Sequence, residues 1–161
     1  MILYLDTSAL VKLYVDEPLS QDLSAVVGEA EAVATSLLAY VEAMAAFARA
    51  GRELRLSHQG YRYVVDAFEE DWPSYITVEV TAQLVKTAGH LSASRALRGY
   101  NALHLASALS LHDRVPASMM FVAFDRALNI AAKREALRIH PLGARGVDWA
   151  CREFNVHAIP G

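Results

Sequence analysis

Short apolar runs rich in β-type residues alternate along the chain with longer stretches whose apolar side chains recur every three or four positions. The first pattern fits buried strands and the second fits helices that cover them, so the alternation predicts βαβ units and a parallel sheet. Strands are expected near 2–5, 32–35, 75–78, 119–123 and 138–140, and helices near 8–15, 19–28, 37–50, 58–71, 79–91, 99–112 and 126–136. The fold class is α/β: three layers, with a central parallel sheet of about five strands flanked by helices. Residues 1–142 read as one domain. Residues 143–161, with Gly143, Gly146, Pro160 and Gly161, read as a C-terminal tail packed on that domain or engaging a partner.

The apolar stretch Ala32 to Ala48 carries one charged residue, Glu42, and approaches the length of a short membrane span. An ionisable group in mid-span is costly, and Ala34-Thr35-Ser36 reads as a strand end before a helix cap, so a strand and helix of a soluble domain are expected. Length supports the same reading, because 161 residues, 54% of them hydrophobic, bury one sizeable core. A net charge of −3 excludes a surface that is basic throughout, so any polyanion must be met locally. Cys151 is the only cysteine, which excludes an internal disulfide and a cysteine-rich metal site. With no basic region ahead of the first apolar residues, a cytoplasmic protein is expected.

Ligands of open parallel sheets bind at the carboxyl ends of the strands, and two acids stand there. Asp6 follows Ile2-Leu3-Tyr4-Leu5, and Asp125 follows Met119 to Phe124. Either alone is equally an ordinary helix N-cap. Glu42 is the third acid, with Leu38, Ala39, Ala45 and Ala46 as its helical neighbours. An ionised carboxylate on so apolar a face needs a cation, a hydrogen-bond network or a rotation toward solvent. Asn101 opens the apolar helix Tyr100-Asn101-Ala102-Leu103-His104-Leu105-Ala106 and is a further polar candidate, or a first-turn residue only. His104 shares its face and is either a ligand or a satisfied core histidine.

Leu5-Asp6-Thr7-Ser8-Ala9-Leu10, Glu42 in its apolar helix, the Asn101 segment and Phe124-Asp125-Arg126-Ala127-Leu128 together resemble the PIN-domain family, and within it the VapC-type toxin ribonucleases of bacterial toxin–antitoxin pairs. The ordered set covers residues 2 to about 140. The resemblance implies an endoribonuclease that cleaves RNA phosphodiester bonds with Mg²⁺ or Mn²⁺, is neutralised by a small VapB-type antitoxin, and forms a homodimer. It also implies that Asp6, Glu42, Asn101 and Asp125 stand at the catalytic and metal-binding positions, with Ser8 supporting the metal. Oxygen ligands of this kind suit Mg²⁺ or Mn²⁺.

Two departures follow. Asn101 stands where the family has Asp, which removes a charge and lowers the expected divalent affinity. It is either natural variation that weakens or redirects activity, or an introduced inactivating change. Ala123 replaces a hydroxyl residue common two positions before the last acid, and Asn129, one turn after Asp125, is read either as compensating support or as an exposed helix residue. Lys12, Arg95, Arg98 and Arg126 are candidates for RNA contact. Leu37, Leu38, Tyr40 and Val41, with Tyr61, Tyr63 and Val64, offer apolar sites for an inserted antitoxin segment, or fill the core.

Asn101 keeps a second reading open, a catalytically silent PIN-like module that binds RNA or antitoxin. Phosphotransfer domains also place Asp after a buried strand. Haloacid-dehalogenase-like phosphatases need another Asp two residues on, where this chain has Ser8, and receivers set a lysine after a late strand, whereas Lys133 is the first lysine beyond Asp125.

Overall fold

A computed structural model describes residues 1–115 and 119–144. Four strands, β1 (Ile2–Leu5), β2 (Ala32–Ser36), β3 (Ile76–Val78) and β4 (Met119–Val122), pair in parallel in the order β3-β2-β1-β4. The first strand therefore lies inside the sheet, with Ile2 opposite both Ala32 and Met119, and Leu5 opposite Val122. Leu3, Tyr4 and Leu5 are fully buried, as expected of a parallel strand covered on both faces.

Helices α1 (Thr7–Val11), α2 (Ser20–Gly28), α3 (Leu38–Arg52), α4 (His58–Asp71), α5 (Ala82–Arg95), α6 (Gly99–His112), α7 (Arg126–Arg134) and α8 (Pro141–Ala144) complete the described elements, with a 3₁₀ turn at Trp72–Ser74. Strand alternation sorts the side chains into two cores. Tyr4, Ala34, Met119 and Phe121 pack with α5, α6 and α7, whereas Leu3, Leu5, Val33 and Val122 pack with α1, α3 and α4. The three layers expected of the sequence are these two helical layers and the sheet.

The expected fifth strand is corrected to a single bridge, Phe121 to Ile139, held by Phe121 N–H on the Arg138 carbonyl (2.8 Å) and His140 N–H on the Phe121 carbonyl (2.9 Å). Arg138 and His140 flank one apolar residue, too little to bury a strand. Likewise the first helix is shorter than expected, because the chain passes into turns after Val11. The boundary placed at 142 falls within α8. Pro116 to Ser118, and the tail from residue 145 with Cys151, lie outside the described residues.

Candidate active site

Asp6 ends β1 and caps α1, its Oδ1 accepting the Ala9 N–H at 2.9 Å. Ser8 Oγ donates to both carboxylate oxygens, at 2.7 and 2.9 Å, and accepts the Phe124 N–H at 2.9 Å. One hydroxyl thus ties the acid after β1 to the chain leaving β4. The Asp6 backbone N–H adds a bond to the Val122 carbonyl at 3.1 Å. Asp6 is 3% exposed, and burial raises its carboxyl from 3.8 to about 6. His104 in its charged form and the bonds from Ser8 and Ala9 oppose that rise, and the negative charge of Asp125 adds to it.

Asp125 is half-buried and caps α7, accepting the Leu128 N–H at 2.7 Å. Both cap roles read from the sequence are therefore real. They do not compete with a ligand role, since a cap bond engages one oxygen of each carboxylate.

Glu42 is partly exposed on α3 and its Oε2 is held by two donors. Thr7 Oγ1 donates to it at 2.5 Å, and His104 Nε2 lies 2.8 Å away. Of the three outcomes open to this acid, the sequence left the hydrogen-bond network among them, and that is the arrangement found. His104 is buried, one turn beyond Asn101 on α6, with Nδ1 3.4 Å from the Tyr4 hydroxyl. Burial first, and then the charges of Asp6 and Glu42 against an opposing Ser107 hydrogen bond, hold the Tyr4 phenol well above its ordinary range. Asn101 itself is half-buried in the first turn of α6.

Asn129 is buried, unlike the exposed alternative read for it. Its Nδ2 donates to the carbonyls of Ala123 (2.8 Å) and Gly143 (3.1 Å), which pins the segment leading into Asp125 against α8. Of the basic candidates, Lys12 is 5% exposed, paired with Glu17 at 2.7 Å and set over the Phe124 ring. Arg95 pairs with Glu135 at 2.6 Å. Arg98 and Arg126 are exposed beside the N-termini of α6 and α7, close in sequence to Asn101 and Asp125.

Thr7 is the residue that sequence reasoning passed over. Its signal was a second hydroxyl beside the first acid, but its partners lie 35 and 97 residues away. Among the described residues no three His, Cys, Asp or Glu side chains converge as a metal-ligand group. Glu42 has its Oε2 engaged elsewhere, and Asn101 brings an amide in place of an acid. The donor chemistry nevertheless fits a hard divalent cation: oxygen ligands only, with the ionised Asp6 and Asp125 in mutual repulsion that a cation relieves. Asp6, Glu42, Asn101 and Asp125 could hold it.

The PIN domain profile matches residues 3–134. Ribonuclease VapC45 of Mycobacterium tuberculosis (strain CDC 1551 / Oshkosh) is 36% identical over 140 residues, spanning 87% of this chain and 95% of the relative. Ribonuclease VapC49 of strain ATCC 25618 / H37Rv gives the same figures. Ribonuclease VapC47 of strain CDC 1551 / Oshkosh is 33% identical over 131 residues, or 79% and 87% of the two chains. In fold, the chain is similar to VapBC2 from Rickettsia felis, solved bound to a DNA fragment from their promoter, with a TM-score of 0.59 at 14% identity over 87% of this chain and 98% of that one. The chain belongs to the PIN-domain family, in its branch of VapC-type toxin ribonucleases.

Proposed function

We propose that the protein is a divalent-metal-dependent endoribonuclease toxin that cleaves RNA phosphodiester bonds and is neutralised by a small VapB-type antitoxin. The observation that carries this reading is the buried Asp6 carboxylate, raised by burial and by Asp125 and held at the strand ends by Ser8. A site that disfavours its own negative charge is one a cation completes. Asp6, Glu42 and Asp125 would hold Mg²⁺ or Mn²⁺, with the Asn101 carbonyl oxygen as a neutral donor. Bound there, the ion lowers the pKa of a water and offsets charge on the phosphate. The chain's own part is positional. Ser8 and the Ala9 N–H fix Asp6, Asn129 fixes the approach to Asp125, and Arg98 and Arg126 offer charge for phosphate.

The names of the VapC relatives and of the VapBC2 assembly support an RNA substrate and an antitoxin partner for this chain. Leu37 and Val41 near the start of α3, and Tyr63 on α4, are exposed and suit an inserted antitoxin segment, whereas Val64 is buried in the core. No helix among the described residues is long and apolar enough to cross a membrane. A cytoplasmic homodimer is the assembly proposed; elution of the pure chain as a monomer at micromolar concentration counts against it.

Cleavage of RNA by this chain and by Asn101→Asp, each with Mg²⁺ or Mn²⁺, is the test. Restoring the acid is expected to raise the rate by at least about 10-fold, a typical loss where a metal site is perturbed. The missing charge at Asn101 also favours a second reading, a silent PIN-like binding module. Equal silence of both chains with retained RNA or antitoxin binding supports that reading and sinks the first.

A further inference from the structure

We propose that Thr7 and His104 are positioning residues that clamp one oxygen of the Glu42 carboxylate and leave the other for the divalent cation. This rests on the metal-dependent reading above and adds residues beyond Asp6, Glu42, Asn101 and Asp125. Thr7 Oγ1 and His104 Nε2 meet the same atom, Glu42 Oε2, at 2.5 and 2.8 Å, and lie 2.9 Å from each other. Oε1 accepts from neither.

A carboxylate only accepts, so the nitrogen facing it must carry a proton. In the neutral ring Nδ1 is then the acceptor, and the Tyr4 hydroxyl 3.4 Å away is the group placed to donate to it. Tyr4 cannot easily leave that position. It is fully buried, stacked on Phe121 with centroids 5.5 Å apart, and edge-on to the His104 ring. Ser107, which hydrogen-bonds Tyr4, also donates to Ser36 at 3.1 Å. A line of contacts therefore runs from the sheet interior through Tyr4 and His104 to Glu42. Glu42 needs it, because a long acid on the apolar face of α3 would otherwise lose rotamer freedom when a cation binds.

Two measurements on the full chain test the clamp. In the imidazole ¹⁵N spectrum, assigned by loss of signals in His104→Gln, His104 is expected to carry its proton on Nε2 before any metal is added. A ring protonated on Nδ1 alone overturns the proposal. The second is titration with Mn²⁺ in the absence of RNA. Thr7→Val and His104→Gln are expected to weaken Mn²⁺ binding about 10-fold, the usual scale for groups that orient a ligand, and Thr7→Ser to restore it to within about twofold.

Glu42→Gln is the reference. If it weakens Mn²⁺ binding while Thr7→Val and His104→Gln do not, the clamp is wrong and the metal-dependent reading stands. If neither this chain nor Asn101→Asp binds Mn²⁺, that reading fails and takes the clamp with it. Thermal unfolding checks each variant. Should His104→Gln not fold, Thr7→Val, Thr7→Ser and a spectrum assigned by heteronuclear correlation decide.

Discussion

Ser8 Oγ serves Asp6 and the Phe124 N–H together, so Ser8→Ala strands the buried Phe124 donor and removes a hydrogen-bond donor from the buried Asp6 carboxylate. The expected cost is about 1–3 kcal/mol, read as a lower urea midpoint at unchanged slope. Asp6 gives a prediction of different sign. Between 3.8 and about 6 the native carboxyl keeps a proton that the unfolded chain has released, so stability falls as pH rises through that window. Asp6→Asn keeps an acceptor for the Ala9 N–H and abolishes the titration. Its melting temperature is expected to gain on the parent above pH about 6, and the gain to vanish toward pH about 4. Mn²⁺ added above that window should raise the parent and leave the variant behind; equal shifts would show that the ion binds elsewhere. The three acids were legible as residues because strand ends and an apolar helix face mark them. The caps on Asp6 and Asp125 were legible as well, being three residues away, whereas the distant holds were not, since Thr7, His104 and Phe124 reach their partners across 35 to 116 residues.

The elements show the same division between local and distant causes. β1, β2, β3 and β4 were legible because apolar runs bounded by turns have few other uses in a chain of this length. The segment at 138–140 has a strand's position and too little apolar surface, and it contributes one bridge. The junction of β4, α7 and α8 depends on a close approach that composition does not reveal. A Cβ on Gly143 would stand 2.6 Å from the Ala123 carbonyl oxygen, the same atom that accepts from Asn129. Gly143→Ala must therefore push α8 outward, at an expected cost of about 1–3 kcal/mol. Asn129→Ala frees the same carbonyl. The double variant should cost less than the sum of the two, because both break one junction. Additive losses in denaturant unfolding would mean the two residues act separately.

At the scale of the molecule, a net charge of −3 leaves little general attraction for a polyanion, and Lys12 and Arg95 are paired with Glu17 and Glu135. RNA binding should accordingly depend weakly on salt. With Arg98 and Arg126 on phosphates the slope of log affinity against log salt is expected near about −1.4, and Arg126→Ala should reduce it by about 0.7. A steep slope would place the strand on a surface other than this one. The sheet order has a consequence for the order of events in synthesis. The first strand made is an inner one, and its far neighbour is the last of the four, with Ser8 and Phe124 joined over 116 residues. A growing chain holds Asp6 from its first moments, yet lacks Asp125 and the backbone that Ser8 grips until most of the message has been read. Translation products interrupted before that point carry no assembled acidic pocket, so whatever the finished protein cuts is safe from its fragments.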